Sequence, residues 1–422
     1  SGRGGLMPVT GEADHTPAPR TLLVITPWKR RWELGGGAGL ADDFHFIHGL
    51  TTHGWRVHYV SPRDTDPPDV AANGYAVHGF YDIFAATERW PVWLRRPLWP
   101  AAFTMLATSR ALRVARHTRP DAVLGQTHLS SLAVFLVSMV RGIPSVMKLY
   151  GVEDLSRPFT SRAQHLRRNA EMIAALKIPH DLWIVLDDGT RGDAALRDHG
   201  VPSEKIRFLA NGVDLSWASR QGDGARFRHE FKIAEDTRGL LWLARLVDWK
   251  RADAALRAFA LARARIASPT VLVIAGEGPE KPRLQLLARE LGIHDSVIFA
   301  GAIAHERVPD AMAASCLFLA TSERSNKSIA TCEAMLCGVP VVAFDVGGTG
   351  DVVRDGETGC LVPDGDIELL AEALAALLND ERGRESLASG ARAFARARFA
   401  GWERRVETER ELMEQLLAQQ HR

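Results

Sequence analysis

The chain is poor in cysteine, in net charge and in long apolar runs, and each shortage removes a class of protein. Its 422 residues hold four cysteines (Cys316, Cys332, Cys337 and Cys360), none of them in a C-x-x-C pair. That usage argues against a disulfide framework or a zinc ribbon and for buried, reduced thiols. The formal net charge is +1, so no global field draws the chain to nucleic acid. No run of eighteen apolar residues occurs, so no membrane-spanning helix is expected. A cytoplasmic protein follows as the expectation, with room for peripheral contact at the inner face of a membrane.

What is present is ordinary for a globular protein: 46% hydrophobic and 24% charged residues, on a length that suits two domains. Residues 1–20 are rich in Gly and Pro, lack periodicity and read as a loose tail. From Thr21 the chain alternates apolar strands with helical periodicity. Strands are expected at Thr21 to Pro27, Trp55 to Val60, Ala122 to Leu124, Ser145 to Leu149, Leu182 to Leu186 and Ile206 to Leu209. The scheme restarts at Leu240 to Leu243 and repeats through Thr270 to Ala275, Val297 to Phe299, Leu317 to Ala320 and Val341 to Phe344. Alternating strands and helices predict parallel sheets covered on both faces. Two such doubly wound α/β domains would turn their strand-end loops toward a shared cleft, where these sheets bind ligands. The hinge is expected around Asp214 to Gly224.

The richest stretch is Ser322 to Asp366, read as loop, helix, strand, glycine turn and hairpin. Ser328 is positioned to cap the helix, Gly338 to end it and Pro340 to enforce the stop. Free N–H groups at such a helix start attract phosphate. Glu333, within the first turns, is placed to accept hydrogen bonds from two neighbouring hydroxyls, as a ribose offers. The turn Gly347-Gly348 would let backbone approach a ligand closely.

This segment resembles the donor site of the retaining glycosyltransferases of family four, which have the GT-B fold. Their pattern is a Glu, seven residues, then a Glu leading into E-A-M-x-x-G-x-P-V-V. Glu333, Gly338, Pro340, Val341 and Val342 fall in register; the first Glu does not, because Ser325 stands there. The resemblance implies a GT-B fold with an acceptor-side domain over 21–214, a nucleotide-sugar domain over 215–400 and a final helix, 401–422, returning to the first domain. It also extends to Arg245-Leu-Val-Asp-Trp-Lys250, which matches the family's G-R-L-x-x-x-K with Ala244 in place of Gly. Two cations after a strand can neutralise the charge that a departing diphosphate develops; alone, the same loop would read as solvated surface. Ala275-Gly276-Glu277-Gly278-Pro279 matches the family's A-G-x-G-P turn, which borders the base, although a tight turn needs those glycines in any case.

The glycines at 35–39 lack the G-x-G-x-x-G spacing of a dinucleotide site. By resemblance Gly36 and Gly37 would close over the donor phosphate. Ser325, Asn326 and Lys327 would meet the donor sugar, and the amides near Ile329 and Ala330 the diphosphate. On the acceptor side stand His128, equally readable as a structural loop histidine, and Tyr150, in the slot where relatives carry His. Lys148 stays unassigned. No metal or other cofactor is implied, since Arg245 and Lys250 would do that work and no Asp-x-Asp is assigned to a strand end.

Arg89 to Arg119 holds seven arginines and no acid, interleaved with Trp90, Trp93, Trp99 and Phe103. Such a surface suits an anionic membrane or a lipid-pyrophosphate acceptor; the blander reading packs the aromatics inward and solvates the arginines. The expected activity is transfer of a sugar, with retention, from a nucleotide-sugar (a uridine nucleotide by family habit) to an acceptor hydroxyl. The product would belong to glycan, polysaccharide or natural-product biosynthesis. The alternatives are a nucleotide-sugar epimerase of the same fold and a non-catalytic nucleotide-sugar binder.

Overall fold

A computed structural model describes residues 19–29, 41–63, 74–87, 90–152, 161–323 and 327–420. The first sheet holds β1 (Thr21–Ile25), β2 (Arg56–Pro62), β3 (Tyr75–Phe80), β4 (Ala122–Gln126), β5 (Ser145–Leu149), β6 (Leu182–Asp187) and β7 (Ile206–Ala210). Its order is β3-β2-β1-β4-β5-β6-β7, with every neighbouring pair parallel. The second sheet holds β8 (Arg238–Leu243), β9 (Thr270–Ala275), β10 (Val297–Gly301), β11 (Leu317–Ala320), β12 (Val341–Asp345) and β13 (Gly359–Pro363). Its order is β10-β9-β8-β11-β12-β13, again parallel throughout. These are two doubly wound α/β units.

Each sheet buries both faces, which is why its inner strands read as unbroken apolar runs. Leu22 and Val24 face one core and Leu23 and Ile25 the other; Leu240 and Leu241 divide the same way in the second sheet. Strands β3 and β13 were not expected. Only Ala76 and Phe80 are buried in β3, and His78 with Gly79 interrupts its apolar residues. The hairpin expected near Gly359 is corrected: β13 pairs parallel with β12 after the short helix Thr349–Val352, so a crossover joins them.

The last helix, Trp402–Gln420, packs on the first unit, where Met413 and Leu417 join a core with Leu22, Phe46 and Tyr59. A buried charge network fixes it there. Lys148 Nζ lies 2.5 Å from Asp42 Oδ2 and 3.0 Å from Glu409 Oε1, and Arg405 pairs with the same two acids. Lys148 is thereby a structural cation. In the arginine-rich helix Val92–Thr118, Phe103 is buried and Trp99 packs edge-on to Phe84 while donating to Thr87 Oγ1 at 2.9 Å; Trp90 stays exposed. Among the described residues no helix is long and apolar enough to cross a membrane.

Candidate active site

In the second sheet the strand order reverses between β8 and β11, and ligands of open α/β sheets bind outside the carboxyl ends of strands at such a point. The loop after β8 carries Arg245 and Lys250; the loop after β11 leads to Glu333. They are tied together: Thr321 Oγ1 accepts from Trp242 Nε1 at 2.9 Å and donates to the Arg251 carbonyl at 2.7 Å, and Glu323 N donates to the Trp249 carbonyl at 3.0 Å. Arg245 is exposed and pairs with no acid among the described residues. Lys250 ends the short turn Asp248–Lys250, its ammonium 4.3 Å from the centre of the Trp249 ring.

Gly276 and Gly278 lie against this loop. A Cβ at Gly276, whose φ is +140°, would sit 1.9 Å from the Ala244 carbonyl oxygen, and one at Gly278 2.2 Å from that of Leu246. The glycines are therefore required by the neighbouring backbone itself. Gly347-Gly348 is corrected in the same sense: a Cβ at Gly348 would meet Gly189 Cα of the first unit at 2.8 Å and Lys327 Cγ at 3.1 Å. That turn closes on protein.

The helix Ile329–Leu336 begins at β11's loop, so Ile329 and Ala330 supply its first amides. Ser328 precedes it but makes no side-chain cap, a correction: the first-turn N–H groups receive no acceptor from that hydroxyl. Gly338, with φ 73°, ends it, and Val339 N returns to the Ala334 carbonyl at 2.8 Å. Glu333 is 5% exposed, yet its carboxylate accepts no hydrogen bond among the described residues. Burial, with the Asp214 charge adding to it, pushes the carboxyl up to about 8. The nearest base is His305, with Nδ1 3.9 Å from Oε1.

Lys327 bridges the two units, its ammonium on Asp187 at the end of β6 and 3.2 Å from Asp351 Oδ2. It and Ile329 line a cavity of about 360 Å³ beside the hinge, with Asn211, Cys332, Arg354 and Phe394. Across the cleft, Tyr150 donates its hydroxyl to Asp43 Oδ1, which also accepts from Gln126 Nε2 at 2.7 Å; its ring meets Trp28 edge-on at 6.0 Å. His128 opens the turn His128–Ser130 after β4. Gly36, Gly37, Ser325 and Asn326 lie outside the described residues. Among the described residues one Asp-x-Asp does follow a strand: Asp364-Gly365-Asp366 after β13. Asp366 there caps the helix Ile367–Asn379 by accepting from Leu369 N at 2.9 Å. Among the described residues no three His, Cys, Asp or Glu side chains are gathered to hold a metal.

Sequence reasoning missed Asp43, Asp187 and His305. Each stands at or near a strand's carboxyl end or a helix start on the cleft, a positional signal that residue type alone does not give.

Residues 44–217 match the family model described as glycosyltransferase family 4, and residues 224–394 that of glycosyl transferases group 1. D-inositol 3-phosphate glycosyltransferase 1 of Catenulispora acidiphila is 30% identical over 305 residues, 68% of this chain and 70% of that protein. The chain belongs to glycosyltransferase family four. Another family member, the D-inositol 3-phosphate glycosyltransferase of Acidothermus cellulolyticus, is 36% identical over 218 residues; that is 50% of this chain and 48% of that protein, about half its length. The crystal structure of Anabaena Alr3699/HepE in complex with UDP superposes with a TM-score of 0.69 at 20% identity, covering 94% of this chain and 100% of that one. The fold is GT-B, and within the family pattern Glu333 holds the second acid position while Ser325 replaces the first.

Proposed function

We propose that the chain transfers a sugar, with retention, from a nucleotide-sugar to an acceptor hydroxyl. The observation carrying this is Glu333: a nine-tenths-buried carboxyl that accepts no hydrogen bond among the described residues, one turn into a helix that Ser328 does not cap with its side chain. Burying such a group is costly unless a ligand satisfies it. A ribose diol on Glu333 would set the diphosphate toward the first-turn amides at Ile329 and Ala330, with Arg245 and Lys250 taking its charge. The acceptor hydroxyl would attack on the face that the diphosphate leaves, and the leaving phosphate oxygen would take its proton. Tyr150, whose hydroxyl proton is engaged by Asp43, offers a lone pair to a sugar hydroxyl but no general base. Gly36, Gly37, Gly276, Gly278, Ser325, Asn326 and Lys327 complete the proposed donor surround, and His128 the acceptor side.

A uridine nucleotide is the first donor to test, since the HepE neighbour is a UDP complex. The acceptor class is open to small polyols and phosphorylated inositols, the substrate for which two relatives are named, as well as to growing glycans. Incubation with a panel of nucleotide-sugars, scored for donor hydrolysis and for transfer, tests the reading; turnover of donor to an epimer without an acceptor sinks it. A non-catalytic binder is favoured by one observation, Ser325 at the first acid position, and is recognised by tight donor binding with neither transfer nor hydrolysis. A cytoplasmic site of action with peripheral membrane contact is proposed from Trp90, Leu98 and Met105, exposed on the arginine-rich segment. Co-sedimentation with vesicles rich in anionic lipid tests that contact.

A further inference from the structure

A buried acid that must ionise to hold a diol needs somewhere for its proton to go. His305 opens the turn His305–Arg307 after β10, with Nδ1 3.9 Å from Glu333 Oε1, too long for a hydrogen bond but within ion-pair range. Its ring packs on Trp217, in the hinge segment, with the ring centres 4.9 Å apart. Asp214 and Glu306 favour a positive charge on His305, and Arg220 opposes it. From the first unit comes His45, stacked on Trp402 at 4.4 Å and close enough that His305 charge disfavours its own protonation. Around His45 the remaining charged groups are Asp214, Asp42 and His48.

Resting on the donor-site reading above, we infer that His305 is a positioning residue for Glu333: it takes up the proton that the buried carboxyl gives up when a vicinal diol docks. The carboxyl O–H breaks, an N–H forms at His305 Nδ1, whose partner Nε2 keeps its own N–H, and no proton leaves the pair. Diol hydroxyls then donate to a carboxylate held beside an imidazolium, so donor binding sheds no net proton from this pair.

Before a ligand docks, the surroundings hold that proton on the carboxyl, and the diol's hydrogen bonds to the carboxylate are what move it. Burial raises the Glu333 carboxyl and lowers His305, so in the free protein the two are held neutral together. Burial also takes His45 down to about 4, which leaves it uncharged near neutrality and no obstacle to charge on His305. Removing the imidazole would force the Glu333 proton into solvent on binding, and binding would then strengthen as pH rises.

The test is calorimetric titration of the full chain with UDP and with GDP between about pH 6 and 8, in two buffers of different ionisation enthalpy. Wild type is compared with H305N, with H305Q as a second variant should H305N fold poorly, and with H305N/E333Q. The nucleotide's own phosphate titration is common to all, so the difference between proteins is read. H305N is expected to release about one proton more than wild type, and its Kd relative to wild type to fall about tenfold per pH unit. In H305N/E333Q the extra proton should vanish. An equal proton count and a pH-independent Kd ratio for H305N and H305Q would overturn the assignment while leaving the donor site standing. Failure of wild type to bind either nucleotide would bring down the donor-site reading and this inference with it.

Discussion

Replacing Glu333 by Gln should make the free protein more stable while disabling it, and the size of the gain should depend on pH in a defined way. The carboxyl has an ordinary value of 4.5 and is raised to about 8 in the fold. Between these values the folded chain holds a proton that the unfolded chain releases, so stability falls as pH rises, by about 1.4 kcal/mol per unit. Below the lower value the group costs nothing through ionisation; at pH 7 the loss is roughly 3 kcal/mol, and it levels off above about pH 8. Gln keeps the shape and the polarity of the protonated form but has no proton to lose. The difference between E333Q and wild type should therefore be near zero at about pH 4.5 and grow steadily toward pH 8. For a unit of about 150–250 residues each kcal/mol moves Tm by roughly 2–4 °C, giving roughly 6–12 °C at pH 7. Scanning calorimetry of nucleotide-free protein at several pH values reads this from the transition of the second unit. A Tm difference that stays constant with pH, or an E333Q protein less stable than wild type at pH 7, would refute the reasoning. So strained a carboxyl is the trade of stability for function expected at a ligand site.

Removing either diphosphate cation, by K250A or R245A, should lower kcat/KM for transfer at least tenfold, about 1.4 kcal/mol, with the circular dichroism spectrum unchanged. G276A should abolish activity and lower solubility, because the added methyl has nowhere to go but into the Ala244 carbonyl 1.9 Å away. K148M should cost about 3–5 kcal/mol in urea unfolding, since it leaves buried Asp42 and Glu409 with one cation between them. K148M/E409Q, which restores the balance, should recover at least half of that loss. D187N should cost at most about 1 kcal/mol, because the Lys327 pair is partly solvated, yet should change the donor KM by loosening the contact across the cleft.

The architecture was legible because parallel strands buried on both faces leave unbroken apolar runs such as Leu22–Ile25 and Leu240–Leu243. Strand β3, whose apolar sequence is broken by His78 and Gly79 and whose His78 meets His58 of β2, carries no such run. The β13 segment was misread because Gly-rich turns signal hairpins, whereas here the short helix Thr349–Val352 makes the crossover. For the candidate site, motif spacing singled out Glu333, Arg245 and Lys250, since consecutive residues on one loop or helix start stay together whatever the fold does. His305 and Asp187 were invisible for the opposite reason. They reach the neighbourhood of Glu333 and Lys327 from other strands and, for Asp187, from the other sheet, and only the tertiary arrangement brings them there.

That arrangement also gives Gly348 and Lys327 contacts across the cleft. Lys327 joins Asp187 of the first sheet to Asp351 of the second, and the Gly348 backbone rests against Gly189. Nearer the hinge, His45 of the first unit stacks on Trp402, which in turn presses on Gly212, and His305 packs on Trp217. A hinge motion that separates Lys327 from Asp187 would carry Glu333 away from the first unit while leaving it beside His305, since both ride on the second sheet. Proton exchange between that pair is therefore available in any state of closure, and opening of the cleft needs no change in their charge.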